Sequence, residues 1–149
     1  MWSDDNGPYA GTHFRLAETI NSPQPLRRPP IMIGGSGEKR LLRLVARYAD
    51  ASNMFAGPQI GPDALTRKYE VLAAHCAREG TDPDHIAKTV LWIAPVMPDA
   101  AGGAAFVEQM RAHAAIGVEQ VHVMPLSGDP VAFVEGLGAH VVAGLDGLG

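Results

Sequence analysis

The sequence predicts an α/β domain in which four parallel strands alternate with helices. Short apolar runs typical of buried strands recur along residues 30–149, and apolar residues return at helical spacing between them. A glycine-rich turn, Gly34–Gly37, separates the first such run from the first such helix. This alternation implies a parallel sheet with right-handed crossovers. Two architectures satisfy it: an open doubly wound sheet, and part of a β/α barrel.

Residues 1–29 differ in composition and pattern from the rest of the chain. They are rich in turn residues and prolines, and we expect an extended, turn-rich segment. A small hairpin is expected where Tyr9 and the pair His13–Phe14 flank Gly11. We therefore divide the chain into this N-terminal segment, 1–29, and a region of four β-α units, 30–149.

The first two β-α units follow from simple patterns. Residues 31–33 form a short apolar run that ends in glycines, which suits a buried parallel strand. Residues 38–49 place apolar side chains at helical spacing with basic residues between them, so they predict an amphipathic helix. Residues 51–55 predict the second strand. The next helix begins at Pro62 and ends near Gly80.

The last two units are predicted in the same way. The third strand lies within residues 86–96, a helix covers residues 99–115, and the fourth strand covers residues 121–124. Asp129 and Pro130 favour the start of a last helix, because Asp is a good N-cap and Pro fits the first helical position. The expected buried stripe of this helix consists of Val131, Val134, Leu137 and Val141.

Composition restricts the classes of function. The chain has 149 residues, of which 46% are hydrophobic and 19% charged, and its net charge is -4. No basic stretch is long enough to follow a phosphate backbone, so we expect no nucleic-acid partner. No apolar run approaches the ~20 residues of a membrane span, so we expect no membrane partner either. The one cysteine, Cys76, cannot form an intrachain disulfide, which fits a cytoplasmic location.

The most informative segment is the turn Gly34-Gly35-Ser36-Gly37. A strand leads into this turn and a helix follows at once, so free amide groups and the positive end of the helix dipole favour an anion there. Glycine lets the backbone approach the anion closely, and Ser36 adds a hydroxyl donor. We expect the amides of residues 34–37 to bind a phosphate group. The alternative is a tight turn that needs glycine only for its conformation.

Two better-known phosphate motifs do not fit this turn. A Walker loop would require Gly-Lys-Ser/Thr at a spacing that is absent here. A dinucleotide fingerprint would require a third glycine where Arg40 stands, and an acidic residue at the end of the next strand, which instead reads Ser52-Asn53-Met54-Phe55. A nucleotide-binding open sheet therefore has little support.

The segment 28–55 carries a resemblance to a known family. It combines a proline-apolar-glycine-glycine strand with a helix that ends in Tyr48-Ala49-Asp50, and Asn53 follows three residues later. This pattern resembles the luciferase-like monooxygenase superfamily and, within it, the coenzyme F420-dependent oxidoreductases. The helix end at Gly80 and the stretch 117–121 agree with it. The resemblance covers nearly the whole chain but only the C-terminal half of a family member.

The resemblance implies a fold and a cofactor. The family fold is an eight-stranded (β/α)8 TIM barrel, of which these four strands would be the last four. Family members bind a flavin or deazaflavin at the carboxyl ends of the strands, where the turn after the fifth strand helps to hold the cofactor phosphate. The resemblance therefore implies that coenzyme F420 or FMN is bound by the turn residues Gly34, Gly35, Ser36 and Gly37, and by the strand-end residues Asn53 and Met54.

The implied activity is oxidoreduction of an organic substrate, either hydride transfer with F420 or monooxygenation with a flavin. This segment would anchor the cofactor phosphate, and we assign no catalytic side chain to it. Four parallel strands cannot close a barrel, so we expect either self-association or a separate N-terminal half as partner. The alternative function is that of a truncated, non-catalytic remnant that binds cofactor or phosphate.

Most other polar residues have structural interpretations. His75 and Cys76 are adjacent and point in different directions from a helix, so they make a poor ligand pair, and no metal site is expected. Asp82 and Asp84 lie in a turn cluster, where capping explains them. His122 has more reason to be functional than the other histidines, because it lies in the last strand and strand ends line the mouth of such a fold.

Overall fold

The computed structural model describes residues 2, 5–93, 95–96, 99–125 and 128–148. Backbone contacts divide the chain into two compact units, Met1–Pro30 and Ile31–Gly149. All four strands predicted for the β/α region lie in the second unit.

The first unit contains a small antiparallel hairpin. Its strands are β1 (Tyr9–Ala10) and β2 (Arg15–Leu16), and Tyr9 pairs with Leu16. The Gly11 amide donates a hydrogen bond to the Phe14 oxygen at 2.9 Å. The hairpin predicted around Gly11 is confirmed.

The second unit is built on a four-stranded parallel sheet. The register pairs Gly34 with Asn53, Asn53 with Thr89, and Thr89 with Gln120. The prediction of four parallel strands alternating with helices is confirmed. The strands are neighbours in chain order: β3 (Met32–Gly34), β4 (Ala51–Ala56), β5 (Ala87–Trp92) and β6 (Gln120–His122).

Helices connect and follow these strands. Right-handed crossovers between neighbouring parallel strands place the connecting helices on the same side of the sheet. A 3-10 turn, Pro83–His85, precedes β5, and a π-helical turn, Gly138–Val142, leads into the short helix α5 (Ala143–Leu145). The other helices are α1 (Leu41–Tyr48), α2 (Pro62–Glu79), α3 (Ala100–Ala114) and α4 (Pro130–Leu137).

The helix ends follow from local chemistry. The Asp129 carboxylate accepts a hydrogen bond from the Val131 amide at 2.9 Å, which confirms the predicted cap of α4. Gly80 ends α2 in the left-handed region, at φ 73°. By contrast, α1 begins three residues later than the predicted residue 38. The Leu42 amide reaches back five residues to the Gly37 oxygen at 3.0 Å, so the backbone before Leu41 forms turns rather than an α-helix.

The hydrophobic core lies between the helices and one face of the sheet. Met54 and Val90 are fully buried on this face, and Leu42 and Leu65 are buried against it from α1 and α2. Burial of side chains of this size contributes about 1.5–3 kcal/mol each. Met54 on β4 and Val90 on β5 therefore show which face of the sheet packs against the helices.

The opposite face of the sheet carries the alternate residues of each strand. Three large apolar residues on this face are exposed: Met32 on β3 (44%), Phe55 on β4 (45%) and Ile93, which directly follows β5 (48%). Successive side chains of a strand point to opposite faces, so Asn53 shares this face with Phe55. Right-handed crossovers place the connecting helices on the other face of the sheet. We call it the open face.

The orientation of α4 differs from the prediction. The prediction that Val131 and Val134 are buried is wrong, because they are 63% and 66% exposed. Phe133 is the α4 residue that points inward, at 8% exposure, and Val141 is buried as predicted. Since α4 is apolar over most of its surface, periodicity does not determine its buried face, and the largest side chain occupies the core.

Candidate functional site

The candidate site lies where the four parallel strands end. Their carboxyl ends meet at one edge of the sheet, as in any parallel sheet, and β3 ends at Gly34. The turn 34–37 therefore opens at this edge, directly before α1. Gly34 and Gly37 are exposed and Gly35 and Ser36 are partly exposed, so solvent and small ligands can reach the turn.

Position 35 requires glycine because of its backbone conformation and the close approach of a neighbouring side chain. Its φ is +118°, a region that residues with a side chain rarely adopt, and a Cβ atom at this position would lie 2.6 Å from the Leu41 Cδ2 atom. Gly37 has no such restriction, because a Cβ atom at position 37 would meet the Leu41 Cβ atom at an ordinary 3.5 Å. Gly35 thus sets the path of the turn and keeps its backbone close to α1.

The amides of the turn are not equivalent. The Gly35 amide donates to the Asn53 oxygen at 2.8 Å and extends the β3–β4 pairing, so it is not available to an anion as the sequence argument expected. The amides of Ser36 and Gly37 have no protein acceptor among the described residues. An anion at this turn would be held by these two amides and the Ser36 hydroxyl.

The start of α1 also lacks a cap. Arg40 occupies the N-cap position without a side-chain hydrogen bond to the helix, and no acidic residue lies in the first turn. The first amides of a helix need acceptors, and the dipole places partial positive charge there. The end of α1 that faces the turn is therefore suited to a negatively charged ligand.

Helix α2 holds the residue that follows the turn. The His75 Nε2 atom donates to the Glu38 main-chain oxygen at 2.7 Å, and the Lys68 ammonium group pairs with the Glu38 carboxylate. The hydrogen bond and the positive charge of Lys68 lower the pKa of Glu38. His75 is 9% exposed. Sequence reasoning missed this role of His75, because the contact joins residues 37 positions apart.

Two strand residues bring unpaired polar atoms to the open face. The Oδ1 atom of Asn53 and the Nε2 atom of His122 are buried, and neither has a hydrogen-bond partner among the described residues. Between them, the Thr89 hydroxyl is satisfied by the Ser52 oxygen at 2.9 Å. A buried polar atom without a partner costs about 1–3 kcal/mol. A ligand or a second protein surface that supplied partners would remove this cost.

Met54 does not join the other predicted site residues. Its side chain is fully buried on the core face, whereas Asn53 lies on the open face. Adjacent strand residues point to opposite faces, so the alternation itself separates the two. The structure therefore brings the turn 34–37 and Asn53 together at the strand ends, and places Met54 beneath them in the core.

The remaining candidates have structural contacts, although the buried Nε2 atom of His113 has no hydrogen-bond partner among the described residues. His113 is 3% exposed, its Nδ1 atom contacts the Gln109 oxygen at 2.8 Å, and its ring packs edge-on against Trp92. The Asp82 carboxylate accepts from the Asp84 amide at 3.0 Å, as a turn cap does. Across the described part of the chain, no cluster of three or more potential metal ligands occurs. The helices of that part are also too short or too polar to cross a bilayer.

Comparison with known proteins decides the family. The sequence model of the luciferase-like monooxygenase family matches residues 1–123. The chain belongs to this family. No curated protein matches the sequence of this luciferase-like chain at a significant level.

Two solved structures similar to this luciferase-like chain are F420-dependent enzymes. An F420-dependent secondary alcohol dehydrogenase in complex with an F420–acetone adduct is similar over 96% of this chain and 57% of its own, with a TM-score of 0.75 and 14% identity. The coenzyme F420-dependent tetrahydromethanopterin reductase of Methanopyrus kandleri is similar over 97% of this chain and 60% of its own, with a TM-score of 0.70 and 12% identity.

These similarities confirm the predicted fold. Both enzymes are TIM barrels, and the chain adopts the same arrangement over four β-α units. The chain spans less than two thirds of the length of either enzyme. Of the two architectures that the sequence allowed, the structure is therefore the partial β/α barrel.

Proposed function

We propose that this chain is the cofactor-anchoring part of an F420-dependent oxidoreductase, in which the turn 34–37 binds the cofactor phosphate. The observation that carries the proposal is the pair of unpartnered amides at Ser36 and Gly37, which precede an uncapped helix at the strand ends. Helix N-termini with free amides are common phosphate sites. The F420-dependent activity of both similar structures supports the choice of cofactor.

The residues of the chain fit such a cofactor in separate ways. The Ser36 and Gly37 amides bind the phosphate, while Gly35 keeps a side chain out of the turn. Asn53 and His122 present unpaired polar atoms to the ring or substrate from the open face. When bound, F420 supplies hydride exchange with an organic substrate, and the protein binds and orients it. We assign no catalytic side chain to this segment.

A flavin is the second candidate cofactor. The family to which the chain belongs is named for monooxygenases. FMN also carries a phosphate group, which this turn would accept. The corresponding activity would be monooxygenation of an organic substrate. A non-catalytic remnant would bind either cofactor without turnover.

The partner we propose for the open face is the first four β-α units of the barrel, which residues 1–149 do not include. Both similar structures extend well beyond the length that this chain covers. Strands β3 and β6 are unpaired edges of the described sheet, and Phe55 and Ile93 are large exposed apolar residues beside them. Edges and apolar faces of this kind favour association. Sedimentation of the chain alone tests the other outcome, self-association.

A titration with two variants tests the phosphate site. F420 fluorescence and FMN fluorescence are followed as the full chain is added, and the proposal predicts saturable binding. Gly37→Val places a branched side chain in the turn and is expected to weaken binding at least tenfold. Gly138→Ala is the matched control, because Gly138 has open space around it and ordinary helical backbone.

The same titration distinguishes the alternatives. Equal binding by the Gly37→Val and Gly138→Ala variants would contradict the phosphate site. Saturable binding without oxidation of any alcohol tried would favour the remnant.

Since Cys76 is a buried free thiol, we propose that the protein acts in a reducing compartment such as the cytoplasm, and fractionation of cells that produce it tests that location.

A further inference from the structure

We propose that a basic groove beside the phosphate turn binds the carboxylate chain that extends beyond the phosphate of F420. The inference rests on the proposed function and deepens it, because it selects F420 over FMN. The groove has a volume of about 280 Å³. It is lined by Lys39, Arg40, Arg43, Leu44 and Arg47.

The groove begins next to the turn. Lys39 and Arg40 follow Gly37 by two and three residues, and they lie where the chain enters α1. Arg43 and Arg47 continue the groove along the helix at intervals of four residues. A ligand whose phosphate occupied the turn would therefore meet Lys39 and Arg40 first.

Most of this positive charge is not neutralised by the protein. Glu79 pairs with Arg43 at 2.7 Å and lies 4.0 Å from Arg47, so one carboxylate serves two guanidinium groups. Lys39 and Arg40 have no carboxylate within ion-pair distance in the described parts of the chain. The acidic residue nearest to them in sequence, Glu38, is paired with Lys68.

The position of these cations is unfavourable for the helix itself. Basic residues stabilise the C-terminal end of a helix and destabilise the N-terminal end, because the dipole is positive there. Lys39, Arg40 and Arg43 nevertheless surround the start of α1, which has no acidic residue in its first turn. The chain as a whole is acidic, at net charge -4. A bound anion would explain why basic residues surround the start of α1. A helix surface that is merely in contact with solvent would not need basic residues at that end.

The two candidate cofactors differ in the groups beyond the phosphate. FMN ends in a phosphate monoester, whereas the phosphate of F420 is a diester that continues into a lactyl group and a chain of glutamates. Lys and Arg side chains pair well with such carboxylates. The groove residues are exposed, so the contribution is electrostatic and decreases with salt. The groove therefore gives affinity to F420 that FMN cannot gain.

The test compares ligands that differ only in the chain beyond the phosphate. The full chain is titrated with F420 carrying several glutamates, with F420 lacking glutamates, and with FMN, at low and high salt. The double variant Lys39→Gln/Arg40→Gln is expected to bind glutamylated F420 about tenfold more weakly, as for the loss of two exposed ion pairs. Its affinity for F420 without glutamates is expected to change far less.

A matched control carries the same change in net charge elsewhere. Arg67→Gln/Arg78→Gln removes two exposed cations of α2 that do not line the groove, and it is expected to leave all three affinities unchanged. Affinity that does not depend on glutamates, or an equal loss in the control, would overturn the proposal.

A ring-free ligand separates this inference from the proposed function. A γ-linked oligoglutamate is added to ¹⁵N-labelled chain, and the groove predicts shifts of the Lys39 and Arg40 amide signals that high salt removes. If these shifts occur while neither FMN nor F420 without glutamates binds, the phosphate site fails and the groove remains. If both cofactors bind but no shift occurs, the groove fails and the phosphate site remains.

Discussion

The Nε2 atom of His75 lies 2.7 Å from the main-chain oxygen of Glu38. This contact joins α2 to the backbone immediately after the turn 34–37. The Lys68 side chain, also from α2, pairs with the Glu38 carboxylate. Two side chains of one helix thus hold one residue by its backbone and by its side chain, and the turn is positioned by an element that never touches a ligand in the proposed site.

Replacement of His75 is expected to loosen the turn. His75→Phe removes the donor and leaves the partly buried Glu38 oxygen without a partner, so the free energy of unfolding should fall by about 1–3 kcal/mol. Binding of F420 should weaken as well, because the turn loses its support. Urea unfolding and fluorescence titration measure the two effects. His75→Gln retains an N–H donor and should recover part of both losses.

The control for this replacement is His85→Gln. The His85 side chain is 86% exposed, so the change should alter neither stability nor binding. Unchanged stability and unchanged binding in His75→Phe would show that α2 does not position the turn.

The pair Lys68–Glu38 predicts a specific dependence on pH. Lys68 lowers the pKa of Glu38 by a hydrogen bond and by its charge. A carboxyl whose pKa is lowered by folding stabilises the folded state above its unfolded pKa of about 4.3, and this contribution is lost as pH falls through the folded value. Lys68→Gln should therefore raise the pKa of Glu38, which carboxyl ¹³C NMR of the folded chain measures.

Glu79 is the internal control for that titration. Arg43 lowers the pKa of Glu79 by a hydrogen bond, and Arg47 adds a smaller charge effect. Lys68→Gln should leave the pKa of Glu79 unchanged. A parallel rise of both pKa values would indicate that the substitution disturbs the packing of α2 rather than one ion pair.

Much of the fold follows from local sequence. The short runs at residues 31–33 and 51–55 located β3 and β4 with small errors at their ends. The prediction that the first of these strands is buried is wrong for Met32 and Gly34, because β3 is an edge strand and both residues are exposed. Asp129 predicted the start of α4 because its carboxylate caps a neighbouring amide. The face of α4 could not be predicted in this way, because tertiary packing of Phe133 determines it.

The candidate site was predictable only in part. The turn 34–37 was evident from its glycines, but the loss of the Gly35 amide to the sheet depends on the register with Asn53 on another strand. The separation of Asn53 from Met54 was available from strand alternation alone. The contact of His75 with Glu38 had no local signal, since it depends on how α2 packs.

Gly35 provides a test of backbone strain in the turn. Gly35→Ala places a methyl group at φ +118° and 2.6 Å from the Leu41 Cδ2 atom, and should destabilise the chain by about 1–3 kcal/mol. The double variant Gly35→Ala/Leu41→Ala removes the clash but not the strained φ, so a double-mutant cycle of unfolding free energies separates the two causes. Gly138→Ala, at an open helical position, should cost nothing. Full recovery in the double variant would show that the clash alone requires glycine.

Replacement of Asn53 by an apolar residue should stabilise the free chain and weaken cofactor binding. Its Oδ1 atom is buried without a partner among the described residues, so Asn53→Leu is expected to raise the free energy of unfolding of the free chain by about 1 kcal/mol and to weaken F420 binding. Gln120→Leu, on the same face but exposed, should change stability by less than about 0.5 kcal/mol. Chemical denaturation and fluorescence titration measure these effects. A loss of stability in Asn53→Leu would mean that the oxygen already has a partner in the free chain, and unchanged F420 affinity would remove Asn53 from the site.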